Sequence, residues 1–270
     1  MNRYQNLYKT LIPYKQGCFI PFLILGDPFF DMSLKIIDTV INNGADGLEL
    51  GFPFSDPLAD GEIIQKANLR ALNSGININA CFEMLYTIRK KYNTIPIGLL
   101  LYANLIFKFG INKFYSKCSN IGIDSILIAD VPMEESIDFR KFAHSNNILS
   151  VFICPPDAKK DIIKNVSMYS TGYIYLLSRS GVTGIDKKVI MPPLNLINHL
   201  KKLTQVPLIQ GFGISHPKQI QKIILSGISG VICGSIIIKL IEDYYKNERK
   251  LIKEIICLSH SLKQATKIFN

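Results

Sequence analysis

A carboxylate interrupts a short apolar run at Gly47-Leu48-Glu49-Leu50. A carboxyl that points from a buried strand into a cavity has its charged form disfavoured by desolvation. Brought toward neutrality in this way, it both gives and takes protons. The polar loop that follows, Gly51-Phe-Pro-Phe-Ser-Asp-Pro-Leu-Ala-Asp60-Gly61, returns Asp56 and Asp60 to the same opening. Taken singly, Glu49 could equally serve a buried Arg or a backbone donor, and Asp60 a turn, since displaced carboxylates are often structural. Two carboxyls near one strand end, opposite an anion grip, point to acid–base chemistry.

The anion grip is read from three glycine-containing loops, Ser178-Arg-Ser-Gly-Val-Thr-Gly184, Gly211-Phe-Gly-Ile-Ser215 and Cys233-Gly-Ser235. Glycine lets backbone N–H groups approach an anion without a Cβ between them. Gly234-Ser235 opens into the apolar stretch Ile236–Ile241, and a helix start adds amide donors and a favourable dipole. A single glycine after a strand is usually only a turn. Three of them, after the last three strands of a barrel, occupy that fold's phosphate position. Neither a P-loop nor GxGxxG is present, so no nucleotide is implied.

These residues need elements to hold them. Apolar runs at Cys18–Leu25, Gly47–Leu50, Ile97–Leu101, Ser125–Ala129, Leu149–Ile153, Tyr173–Leu177, Pro207–Gln210 and Gly230–Ile232 read as strands. Between them lie helical patterns at Met32–Asn43 (with Asp31 as its N-cap), Ile63–Leu72, Ala80–Lys91, Asn112–Asn120, Met133–Ser145, Lys159–Val166, Leu194–Leu203 and Pro217–Ser226, then helical sequence to the end. Strands that are apolar throughout indicate a parallel sheet covered by helices. The α/β pattern of about eight strand–helix units predicts a single-domain (β/α)8 barrel, residues 1–270, with an open doubly wound sheet as the structural alternative. Function then belongs at the carboxyl ends of the strands. On the sixth strand Tyr173 and Tyr175 share a face, but the pattern does not say whether that face points into the barrel or under the helices.

The chain of 270 residues is 48% hydrophobic, enough for one large core without disulfides or a structural metal. Its formal charge of +10 raises the question of a nucleic-acid partner. The basic residues are scattered over helix faces and the tail, which describes solvated surfaces and predicts no nucleic acid. Six cysteines without CxxC spacing fit a reduced, cytoplasmic protein, and four histidines without ligand spacing predict no metal site. An Arg3/Lys9 start followed by Cys18–Leu25 imitates a signal peptide, but Pro21 interrupts the run and Gly26-Asp27-Pro28 replaces a cleavage site. The apolar stretches are too short to span a bilayer, so no membrane is expected.

Pro21-Phe-Leu-Ile-Leu-Gly-Asp-Pro28, Leu48-Glu-Leu-Gly-Phe-Pro-Phe-Ser-Asp-Pro-Leu-Ala-Asp-Gly61, Asp130-Val-Pro-Met-Glu-Glu135, Tyr175-Leu-Leu-Ser-Arg-Ser-Gly-Val-Thr-Gly184 and Gln210-Gly-Phe-Gly-Ile-Ser215 occur in that order. Together they resemble the tryptophan synthase α subunits over nearly the whole chain. The resemblance implies retro-aldol cleavage of indole-3-glycerol phosphate to indole and glyceraldehyde 3-phosphate. It implies Glu49 as general acid–base and Asp60 as the acceptor of the indole N–H. Phe22, Leu100, Ala129, Tyr175 and Phe212 would line the indole and glycerol pocket, while Gly184, Gly213, Gly234 and Ser235 would hold the phosphate. Arg179 and Thr183 would lie on a closing loop, with Thr183 reaching Asp60. A β subunit would complete an α2β2 heterotetramer through Pro53, Phe54, Asp56, Asn104, Pro132 and Glu134. Pyridoxal phosphate belongs to that partner, so no cofactor is expected in this chain.

The chain departs from the family pattern at Glu62, where proline is usual, at Ser180, where alanine is usual, and at Cys233, where serine is common. Glu62 would place a charge beside the catalytic loop. Rival readings are a sister phosphate-gripping barrel, such as phosphoribosylanthranilate isomerase or indole-glycerol-phosphate synthase, and a non-catalytic regulatory subunit. The synthase would want a lysine acid at the strand ends, and no matching lysine stands there. The intact Glu49, Asp60 and Thr183 oppose the regulatory reading.

Overall fold

The computed structural model describes residues 2–178, 191–214 and 216–268. In chain order the elements are α1 (Arg3–Leu11), β1 (Cys18–Ile24), α2 (Phe30–Asn42), β2 (Leu48–Gly51), α3 (Glu62–Asn73), α4 (Ile78–Lys91), β3 (Ile97–Leu101), α5 (Ala103–Phe109), α6 (Ile111–Ile121) and β4 (Ser125–Ile128). They continue with α7 (Ile137–Ser145), β5 (Leu149–Ser150), β6 (Phe152–Cys154), α8 (Lys160–Tyr169), β7 (Ile174–Leu177) and α9 (Leu194–Leu203). β8 (Leu208–Gly211), α10 (Pro217–Leu225), β9 (Gly230–Cys233), α11 (Ser235–Tyr244) and α12 (Glu248–Ala265) complete the chain.

The nine strands form one parallel sheet in the order β5-β4-β3-β2-β1-β9-β8-β7-β6. Its two ends, β5 and β6, are halves of the strand expected over Leu149–Ile153. The first half pairs with β4 and the second with β7, and only Val151 separates them. The ring is therefore closed through the chain itself, and the open-sheet alternative is set aside. Strands β1, β2, β7, β8 and β9 are buried along their whole length, as a sheet covered by helices requires.

Three local expectations are corrected. Asp31 sits inside the first turn of α2, whose N-cap is Phe29, so its carboxylate acts on the helix dipole without capping. The stretch Met133–Ser145 opens as a 3-10 turn at Met133–Glu135 before α7 begins. Helices α1 and α5 were not anticipated. The first is announced by a capping box, with the Asn2 side chain accepting from the Gln5 amide and the Gln5 side chain accepting from the Asn2 amide.

Helix α1 closes the amino-terminal end of the barrel. Tyr4 is buried there, its hydroxyl 2.9 Å from Ser125 Oγ and its ring edge-on to Tyr173 at 5.6 Å. Gly98 makes the room, since a Cβ there would stand 3.0 Å from the Tyr4 hydroxyl and 2.8 Å from Ser125 Oγ. Asp124 pins the same end: its carboxylate accepts from Arg3 Nη1 at 2.9 Å, Arg89 Nη2 at 2.8 Å and the Ile97 amide at 2.8 Å. Replacing it leaves a nearly buried guanidinium and a strand amide without a partner. Asp124→Ala should therefore cost about 3–5 kcal/mol in equilibrium urea unfolding, and a loss below about 1 kcal/mol would show that the cluster is incidental.

Candidate active site

The carboxyl ends of the strands surround a cavity of about 600 Å³ including its open mouth. Register explains which side chains reach it. Phe22 on β1 stands beside Glu49 on β2, and Ile153 on β6 beside Tyr175 on β7, and all four line the cavity. Leu100, Ala129 and Phe212 supply apolar wall. Asp60 enters from the loop ahead of α3, and Gly213, Gly234 and Ser235 line the same cavity. Every expected catalytic and substrate-binding residue within the described parts is thus gathered in one space. Arg179, Ser180, Thr183 and Gly184 lie outside the described residues. Ala59, Ile64, Ile153, Ile214 and Ile232 also line the cavity and were not anticipated, because apolar residues at strand and helix ends carry no signal beyond burial.

Glu49 is 1% exposed. Its Oε1 accepts a 2.7 Å hydrogen bond from the Tyr173 hydroxyl, while Oε2 has no partner among the described residues. Burial pushes the carboxyl from 4.5 up to about 7; the Tyr173 bond opposes this and the nearby Asp60 charge adds to it. Both tyrosines of the sixth barrel strand therefore face inward. Tyr173 lies one layer below the cavity and anchors the acid; Tyr175 forms its wall. Asp60 is raised to about 6 by burial, against a 3.0 Å hydrogen bond donated by the Tyr102 hydroxyl to Oδ2. The sequence raised Tyr173 without fixing which way it points, and gave neither Tyr173 nor Tyr102 as the partner of these carboxyls.

The wall is shaped by close packing. Gly211 has no room for a Cβ, which would overlap the Tyr175 hydroxyl, and a Cβ on Gly234 would stand 2.8 Å from the Phe22 ring. Phe212 is held at φ 69°, a left-handed conformation rare for an aromatic residue, and Gly213 follows at φ 68°. Backbone held in that region costs about 1–3 kcal/mol and tends to gather at functional sites. The turn sets the Phe212 ring 6.1 Å from Tyr175, edge to face.

Gly234 is the N-cap of α11. The amides of Ile237 and Ile238 bond back to the Gly234 carbonyl, and the first-turn amides ahead of them have no intrahelical acceptor. Gly234 and Ser235 border the cavity, so this helix start offers donors and positive potential to an anion there.

Glu62 does not act on the site as expected. Its side chain is 79% exposed and pairs with Lys66 at 2.6 Å, one turn along α3. Cys233 is buried, and burial raises its thiol well above its ordinary range. On the surface, Asp56, Asn104, Pro132 and Glu134 are exposed and Phe54 is half-buried, whereas Pro53 is buried.

A closed (β/α)8 barrel whose apolar cavity is lined by two buried carboxyls and by a glycine-bearing helix start belongs to the class of barrels with a site at the carboxyl ends of the strands. The comparisons make that specific. The family model for the tryptophan synthase alpha chain matches residues 8–267. The tryptophan synthase alpha chain of Buchnera aphidicola subsp. Schlechtendalia chinensis is 74% identical over 100% of both chains. That of Salmonella typhimurium is 50% identical over 99% of this chain and 100% of its own. The solved tryptophan synthase subunit alpha from Legionella pneumophila superposes with TM-score 0.87 at 27% identity, covering 98% of each chain. A chain from the tryptophan synthase a2b2 complex of Pyrococcus furiosus does so with TM-score 0.83 at 28% identity, covering 92% of this chain and 98% of that one. This chain belongs to the tryptophan synthase alpha chain family.

The buried acid carries a stability consequence. Because folding raises the Glu49 carboxyl from 4.5 to about 7, the folded state binds the extra proton and loses stability as pH rises through that window. The full loss amounts to about 3 kcal/mol. The neutral Glu49→Gln variant should accordingly be more stable than wild type at pH 8, by up to about 3 kcal/mol, and equal to it near pH 4. Urea unfolding at the two pH values checks this; an advantage independent of pH would point to packing instead of charge.

Proposed function

We propose that this chain cleaves indole-3-glycerol phosphate to indole and glyceraldehyde 3-phosphate, a carbon–carbon lyase reaction, as the alpha subunit of a tryptophan synthase. One observation carries the reading: Glu49, with one carboxyl oxygen unpartnered among the described residues, lines the same apolar cavity as Asp60 and the start of α11. A substrate with an anionic tail and a flat apolar head matches that lining. The tail would lie against Gly213, Gly234 and Ser235, and the indole among Phe22, Leu100, Ala129, Tyr175 and Phe212.

In this pose the protonated Glu49 carboxyl gives its proton to indole C3. Positive charge develops on the ring, and ionised Asp60, accepting the indole N–H, stabilises it. Such stabilisation lowers the barrier because the charge exists only beyond the ground state. The bond between indole C3 and the glycerol carbon then breaks, and its electrons return to the ring. The glycerol hydroxyl becomes the aldehyde and hands its proton to the Glu49 carboxylate, which is thereby restored. A carboxyl near 7 suits both transfers at neutral pH. Arg179, Thr183 and Gly184 complete the proposal as the closing loop and the remaining phosphate donor.

The partner reading rests on the Pyrococcus furiosus complex, described as an a2b2 assembly with mutual activation. Phe54, Asp56, Asn104, Pro132 and Glu134 would meet the beta subunit, with Pro53 shaping their loop from within. Pyridoxal phosphate would be carried by that subunit. Among the described residues no helix is long and apolar enough to cross a membrane.

Purified protein should release indole from indole-3-glycerol phosphate slowly alone and faster with a beta subunit. Glu49→Gln should abolish turnover while substrate still binds, because the amide cannot shuttle a proton. Asp60→Asn should lower kcat by about 10²–10³. Binding without turnover by the wild type would instead establish a regulatory subunit, and an active Glu49→Gln would remove that residue from its role.

A further inference from the structure

Asp60 reaches the cavity on a loop, and the side chain that fixes it comes from a different strand end. Tyr102, directly after β3, is 4% exposed. Its hydroxyl donates to Asp60 Oδ2 at 3.0 Å and accepts from the Ala59 amide at 3.2 Å. Both ends of the Ala59–Asp60 step are therefore held by one oxygen. The Tyr102 ring lies flat on Phe54, with centroids 5.1 Å apart and planes 22° from parallel. Phe54 belongs to the same loop as Asp60, and its own amide donates to Asn68 Oδ1 on α3 at 2.9 Å.

The next residue ties in a third loop. The Ala103 amide, first of α5, donates to Asp130 Oδ1 at 2.8 Å, just past β4. The loop that carries Phe54 and Asp60 and the turn after β4 are thus held by two consecutive residues, Tyr102 and Ala103.

We infer that Tyr102 is a positioning residue: its hydroxyl sets the orientation of Asp60 while its ring holds Phe54 of the loop that carries Asp60. The inference rests on the proposed function for the identity of the reaction. Tyr102 does not touch the reacting atoms; it acts through Asp60.

The test compares wild type and Tyr102→Phe, alone and with the beta subunit, from pH 5 to 9. The substitution keeps the ring against Phe54 and removes only the hydroxyl. Expected are a fall in kcat of about tenfold or more with KM within about threefold. The acidic limb of the kcat profile should also move to higher pH. The groups facing Asp60 are Glu49 and Tyr175 across the cavity and Tyr102 itself, with Asp130 behind Tyr102. Of these, Tyr102 supplies the hydrogen bond that holds the Asp60 carboxyl down, so its loss makes ionisation harder. A merely structural hydroxyl would not shift that limb. Unchanged kcat and limb would overturn the inference, and so would a raised KM with kcat intact. Failure of Tyr102→Phe to unfold cooperatively would overturn it too, by showing a purely structural role. Absence of turnover in wild type would instead bring down the proposed function, which separates the two failures.

Discussion

The site depends on a single electrostatic constraint: a carboxyl buried inside a parallel barrel and lacking a cation among the described residues. Glu49 has a tyrosine hydroxyl on one oxygen, no described partner on the other, and the Asp60 carboxyl nearby. In such a place a carboxylate is costly, and the proton is retained into the neutral range. Other acids drawn into the interior are dealt with differently. Asp124 and the half-buried Asp46 receive cations, from Arg3 and Arg89 in one case and Lys263 in the other. Asp27 receives two nitrogens of a bidentate Arg70. The cation-paired acids hold the architecture, whereas Glu49 and Asp60 have tyrosine hydroxyls in place of cations among the described residues.

The rest of the fold maintains that inequality. Tyr4 on α1 packs against Tyr173 and closes the floor, so the layer beneath Glu49 offers it a hydroxyl. Gly98 admits Tyr4 beneath the cavity, and Gly211 and Gly234 admit the Tyr175 and Phe22 rings of its wall. The strained turn at Phe212 and Gly213 places a second ring and a bare backbone side by side. The start of α11 provides the opposite polarity, donors without acceptors. Acids, rings and a helix start thus line one cavity, the combination that the proposed substrate requires.

Much of this was legible in the residues, for identifiable reasons. The strands could be read because a parallel sheet buried on both faces leaves continuous apolar runs, and Glu49 stood out against one of them. The glycine loops were readable because close approach to an anion leaves glycine little substitute. Partners were harder. Tyr173 and Tyr175 have the same spacing signal whether they face the barrel or the helices, and only the register against β6 and β8 decides. Tyr102 meets Asp60 across 42 positions of chain, a pairing that no local pattern announces. The split at Val151 between β5 and β6 is invisible in composition because it arises from closing the ring. Glu62 looked like a perturbing charge only until α3 placed Lys66 one turn away.

The central claim concerns the protonation state of one side chain, and it can be measured on that side chain. With carbon-13 in the glutamate carboxyls, and Glu49 assigned by its absence in a substituted protein, the carboxyl resonance is followed from pH 4 to 9 without ligand. A midpoint at about 7 is the result this account requires. A midpoint near 4.5, the ordinary value of a solvated glutamate, would mean that Glu49 is ionised at neutral pH and holds no proton to give.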